Sequence, residues 1–124
     1  MQLQKFNIIV HGCSAHGSTP HLSKDAIVAA SNIILNLQLL ISRLKDPLAE
    51  EVLTLTQVKS GTQFNIITDR AELAGVLGAA DKEALEQLQA AVEGIVSSSA
   101  APAGCTAEVI YGEYVEKAGE EDGN

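Results

Sequence analysis

The stretch KDAIVAASNIILNLQLLISRL, residues 24–44, carries two apolar stripes where a surface helix needs only one. Ile27, Ala30, Ile34, Leu37, Ile41 and Leu44 step by three and four positions, which predicts a helix whose main face meets a core, widened by Ala26, Ile33 and Leu40. Ser23 precedes the run as its expected N-cap, and Asp46-Pro47 ends it because proline cannot continue a helical hydrogen-bond ladder. Val28, Leu35 and Leu39 form the second stripe on the other side, among Ser31, Asn32, Ser42 and Arg43. A helix lying on a single sheet should be wet there, so a further surface is expected to cover them.

Strands surround this helix in sequence. Before it, QKFNIIVHG sets Phe6, Ile8 and Val10 against Lys5, Asn7 and His11, the two-residue period of a half-buried strand ending at Gly12. After it, EVLTLTQVKSG alternates Leu53 and Leu55 with Thr54 and Thr56 and closes at Gly61. NIITDRAELAGVLG gives Ala71, Leu73, Gly75 and Leu77 against Arg70, Glu72 and Ala74, a third strand with a polar outer face. Asp81 is the expected cap of a second helix with one stripe, Leu85, Leu88, Val92 and Ile95, ended by APAG. CTAEVIYGEY then alternates Ala107, Val109 and Tyr111 with Thr106, Glu108 and Ile110 as a fourth strand.

The order β-α-β-β-α-β, folded with right-handed crossovers, predicts an α+β domain of the ferredoxin-like kind: a four-stranded antiparallel sheet with both helices on one face. In that topology the second strand is an edge on the same side as the first helix. An open edge beside an unexplained apolar stripe predicts a two-fold symmetric homodimer through Val28, Leu35, Leu39, Leu53 and Leu55.

A chain of 124 residues suffices for one ordinary core. With 46% hydrophobic but only 3% aromatic residues, its contacts are expected to be made by small aliphatic side chains. The formal charge of −8 argues against nucleic acid or an anionic membrane surface as partner, since both need clustered cations. The last residues, 115–124, have no apolar period and are expected to be an acidic tail or linker, leaving 1–114 as the domain. Cys13 and Cys105 form no CxxC, and the amino end lacks a basic start with a long apolar core, so a cytoplasmic location is expected.

All three histidines fall in HGCSAHGSTPH, residues 11–21, together with Cys13. The atom types would suit zinc, but His11 still belongs to the strand and no pair has the spacing of a chelating half-site, so no metal site is expected in this chain. His11 and His21 are expected to be half-exposed and satisfied locally. His16 stands apart, on a glycine-bounded loop that leads into a helix and can project an imidazole toward a ligand.

GCSAHGSTPHLSKDAIVAASNII and GTQFNIITDRAELAG, in this order and on this frame, resemble the lid, or dimerisation, domain of the M20 family of metal-dependent peptidases and amidohydrolases. The resemblance covers nearly the whole chain. It implies a parent with a separate catalytic domain holding two zinc ions and a glutamate base, into which the lid is inserted. It further implies that His16 reaches across the dimer to stabilise the oxyanion formed as a metal-bound hydroxide attacks an amide carbonyl, and that Asn65 hydrogen-bonds substrate. The parent would hydrolyse small N-acyl amino acids or short peptides, while the isolated chain would catalyse nothing. Two departures stand out: Gly78 occupies the position where the family commonly has a carboxylate-gripping Arg, and Thr68 replaces the usual proline. The catalytic pair of such enzymes would lie upstream, so Glu50 and Glu51 are expected to form a solvated turn. A reading from another class is a free-standing dimeric ferredoxin-like module that binds a small ligand.

Overall fold

The computed structural model describes residues 1–41, 46 and 48–115. Its elements are β1 (Gln2–His11), β2 (Ala15–His16), α1 (Ala26–Leu39), β3 (Glu51–Ser60), β4 (Ile66–Ile67), β5 (Arg70–Ala79), α2 (Lys82–Ala100) and β6 (Thr106–Val115). The four long strands form one sheet in the order β3-β5-β1-β6, antiparallel at every step. This is the expected β-α-β-β-α-β architecture, with β3 at an edge. The short β2 and β4 form a separate two-stranded ladder, where the residue pattern predicts only a loop and the start of the third strand.

The core lies between the sheet and the two helices. Phe6, Ile8 and Val10 of β1 and Ala71, Leu73 and Leu77 of β5 are buried against Ala26, Ala29, Ala30, Ile33 and Leu37 of α1 and Leu85, Leu88, Val92 and Val96 of α2. Each large aliphatic side chain removed from water in this way contributes about 1.5–3 kcal/mol before entropy is counted. The alanines of α1 let its backbone approach the sheet, which explains how so few aromatics fill the layer. Asn32 and Asn36 donate to the Ser99 carbonyl and hydroxyl at 2.8 and 2.9 Å, tying α1 to the end of α2.

Three local readings are corrected. Asp25, and not Ser23, caps α1: its carboxylate accepts from the Ile27 and Val28 amides at 2.9 and 3.3 Å, whereas Ser23 closes the preceding turn by donating to Pro20. The buried face of α1 is rotated relative to the expected stripe, so Ile27 is 47% exposed while Ala29 is buried. On α2, Val96 takes the fully buried place expected of Ile95. Asp81 caps α2 as expected, accepting from Ala84, and Gly104 ends the following turn at a φ of 75° that suits glycine. The readings of Ser42, Arg43, Leu44, Pro47 and residues 116–124 fall outside the described residues.

A bulge between Leu55 and Gln57 reshapes the edge strand. Before it, Leu53 and Leu55 face inward; after it, Val58 pairs with Leu73 and takes the same side. Gly75 makes the bulge possible, because a Cβ there would sit 2.0 Å from the Thr54 carbonyl oxygen. Val58 thus borders a shallow apolar groove with Ile27, Ala30 and Ile34 between α1 and the sheet edge. Leu53 is buried in the chain's own core and Leu55 packs against it, so both support the edge from within. Any partner pairing with β3 meets its backbone before it meets these side chains.

Candidate functional site at the paired histidine and asparagine loops

His16 and Asn65 lie far apart in sequence but belong to one backbone unit. In the β2–β4 ladder Ala15 pairs with Ile67 and His16 with Ile66, and the Gly17 amide donates to the Asn65 carbonyl at 2.8 Å. The unit is anchored at both ends: Gly12 donates to Asp69 at 2.8 Å, and Ala26, at the start of α1, donates to Thr68 at 3.3 Å. Between them Cys13 and Lys24 exchange two backbone bonds of 2.9 and 3.0 Å, which pinch the histidine loop at its base. Gly12 is required there, since a Cβ would meet the Lys24 carbonyl oxygen at 2.0 Å and the Cys105 sulfur at 3.2 Å.

The loop itself is tightly turned. Thr19 donates its amide and its hydroxyl to the His16 carbonyl at 2.9 and 3.2 Å, and the turn continues into Pro20–Leu22. This folds Ser18 back onto the imidazole. The Ser18 amide donates to His16 Nδ1 at 3.1 Å, and the Ser18 hydroxyl lies 2.8 Å from the same nitrogen. The ring is exposed, and among the described residues its Nε2 has no hydrogen-bond partner. The sequence pattern alone does not single out Ser18, although a hydroxyl residue two positions after a loop histidine is the type that bonds back to its neighbours.

Asn65 is half-buried in the turn that leads into β4, and the adjacent Phe64 projects fully exposed from its tip. Thr68, where the resembled motif usually has proline, accepts from the Arg70 amide through its hydroxyl at 3.3 Å, a bond proline could not make. A polar cleft beside the ladder is lined by Ser14, Lys59, Ile66, Thr68, Arg70 and Glu72. Arg70 reaches Glu72 at 3.5 Å across the surface, a pair too exposed to add much stability.

The other singled-out residues lie elsewhere. His11 bonds Glu108 at 3.1 Å on the outer face of the sheet, and His21 is exposed on the Pro20–Leu22 turn. Among the described residues no three His, Cys, Asp or Glu side chains converge closely enough to hold a metal ion, so the donor set of this part of the chain does not fit one. Glu51 is the first residue of β3, paired with Ala79, and Glu50 is exposed beside it. Gly78 pairs with Leu3 at the end of β5 opposite the histidine loop. A Cβ there would lie 2.4 Å from the Leu3 side chain and 2.7 Å from the Gln2 carbonyl oxygen, so packing in this chain requires glycine at that position. Val28, Leu35 and Leu39 are 56%, 67% and 51% exposed on α1, with Val28 and Leu35 beside Pro102 and Ala103. No helix among the described residues is long and apolar enough to cross a membrane.

Known proteins resemble this chain in sequence and in fold. The sequence model of the peptidase dimerisation domain, M20 type, matches residues 2–104. An N-acetyldiaminopimelate deacetylase of Anoxybacillus flavithermus is 38% identical over 101 residues, covering 82% of this chain and 27% of the relative. IAA-amino acid hydrolase ILR1-like 2 of Arabidopsis thaliana is 38% identical over 104 residues, 84% of this chain and 23% of the relative. Among solved structures, a Bacillus subtilis dinuclear metal-binding peptidase from the M20 family aligns with a TM-score of 0.69 and 27% identity, over 92% of this chain and 26% of its own. The chain therefore spans about a quarter of the length of these relatives. The sequence match and the structural alignment agree, and the chain belongs to the M20 peptidase dimerisation domain family.

Proposed function

We propose that this chain is the lid and dimerisation domain of a larger hydrolase that cleaves amide bonds in small N-acyl amino acids or short peptides. The deacetylase and amino acid hydrolase among its relatives, and the peptidase among its structural neighbours, support that reaction class. The observation that carries the reading is the β2–β4 ladder, which holds the His16 loop and the Asn65 turn one register step apart. In this reading His16 offers a preorganised hydrogen-bond donor to the carbonyl oxygen of a scissile amide as charge builds there, and the Asn65 amide orients the substrate. The metal centre, two zinc ions, belongs to the catalytic domain of the same polypeptide; no step in this chain runs through it.

The lid acts from a neighbouring subunit. Two copies pair through α1 and the β3 edge, with Val28, Leu35 and Leu39 covered by the partner and Leu53 and Leu55 stiffening the edge from beneath. The apolar groove of Ile27, Ile34 and Val58 beside that edge supports this arrangement. Two free thiols, Cys13 exposed and Cys105 buried, support a cytoplasmic location.

The test is His16→Ala in the full-length parent. The expected result is a fall in kcat of roughly 10²-fold with the dimer retained, the usual loss for one oxyanion donor. Unchanged turnover would remove His16 from the chemistry.

A further inference from the structure

We propose that Ser18 is a positioning residue that fixes the tautomer of His16 and so decides which ring nitrogen carries the proton. The inference deepens the role proposed for His16 and, for its bearing on turnover, rests on that reading. Its ground is the direction of one hydrogen bond. A backbone N–H can only donate, and the Ser18 amide lies 3.1 Å from Nδ1 with donor geometry. Nδ1 must therefore present its lone pair, and the single proton of the neutral ring resides on Nε2.

The Ser18 hydroxyl, 2.8 Å from the same nitrogen, could either donate or accept, so alone it would not decide the tautomer. With the amide fixed as donor, the hydroxyl falls into line and donates as well. The backbone turn makes this unavoidable: both Thr19 donors hold the His16 carbonyl, which keeps the Ser18 amide under the ring edge. The outcome is an Nε2–H directed away from its own loop and free of partners among the described residues. A histidine acting on a carbonyl oxygen needs that tautomer, because an unprotonated Nε2 would repel the oxygen it faces.

Two measurements separate this proposal from the reading it rests on. The first concerns the ring alone and uses this chain. Long-range proton–nitrogen correlation spectra, above the pH at which imidazole takes its second proton, should show His16 as the Nε2–H tautomer only, with a scalar coupling across the hydrogen bond between the Ser18 amide and Nδ1. Ser18→Ala keeps the amide and should keep the tautomer; Ser18→Pro deletes the N–H and should shift both ring nitrogens toward the averaged values of a mixture. A proton on Nδ1 in the wild type, absence of the coupling, or an unaltered ring spectrum in Ser18→Pro would each overturn the proposal, and the first two need no variant to fold. The second measurement is kcat in the full-length parent. Ser18→Pro should lower kcat roughly tenfold with KM nearly constant, as for other groups that fix an imidazole from behind, and Ser18→Ala should lower it less. If His16→Ala lowers kcat and Ser18→Pro does not, the positioning role fails while the role of His16 stands. If His16→Ala has no effect, the proposed function fails and the tautomer assignment is decided by the spectra.

Discussion

The amide of Gly17 donates to the carbonyl oxygen of Asn65 at 2.8 Å, joining a loop that follows the first strand to a turn that precedes β5. Neither segment could hold its shape alone, since each is short and rich in residues with many accessible conformations. Bonded to each other, and anchored at Gly12–Asp69 and Ala26–Thr68, they form a small ribbon carried on the ends of β1, β5 and α1. A rigid platform for one imidazole is the consequence.

The two stripes of α1 predict opposite responses to truncation. Leu37 is fully buried, so Leu37→Ala should cost about 2–5 kcal/mol in urea unfolding, whereas Leu35→Ala at a 67% exposed position should stay within about 0.5 kcal/mol in a monomer. Leu35→Asp combined with Leu39→Asp should yield a folded monomer in sedimentation. A dimer that survived both aspartates would place the interface on another face.

Gly12→Ala probes the base of the histidine loop. The new methyl group would collide with the Lys24 carbonyl, which is backbone and cannot swing aside. We expect the Cys13–Lys24 bridge to open, a loss of about 1–3 kcal/mol in unfolding free energy, and altered His16 ring resonances. An unchanged unfolding midpoint would show that the pinch contributes nothing.

Tyr111 predicts a pH dependence. Its hydroxyl bonds the Gln89 carbonyl and the Glu93 carboxylate. Burial, then the bond to Glu93, then the charge of that carboxylate hold the phenol well above its ordinary range. The unfolded chain releases this proton near pH 10 while the folded chain retains it, so the contribution is complete below about pH 10 and is lost as pH rises toward the folded value. Tyr111→Phe should lower stability by about 1 kcal/mol at neutral pH. The gap between wild type and variant in urea midpoint should then hold constant up to about pH 10 and narrow steadily as pH rises above it; a constant gap at higher pH would mean that the phenol does not titrate with folding.

Much of the architecture was already legible in the residues. The period-two runs around Phe6, Leu53, Leu73 and Val109 and the helical runs around Ile33 and Val92 gave the element order, and chirality left one sheet order for it. The second stripe of α1 was visible for the same reason: burial obeys helix period, and Val28, Leu35 and Leu39 break the expected polarity. The histidine and asparagine motifs were legible by resemblance, each as a local string.

What the string could not contain was decided by contacts between distant segments. Ile27 and Ala29 exchange places because the closeness of α1 to the sheet, set by its alanines, fixes the rotation of the helix. The Leu55–Gln57 bulge puts Val58, still exposed, on the helix side of the sheet because Gly75, on another strand, leaves room for the Thr54 carbonyl. Gly78 is closed to any side chain by Leu3 and Gln2 across the sheet. His16 and Asn65 become neighbours only when β2 finds β4, and Ser18 meets the imidazole only when Thr19 closes the turn. Side-chain periodicity is a local property written along the chain, whereas the direction of a hydrogen bond between two loops exists only once the backbone has placed donor against acceptor.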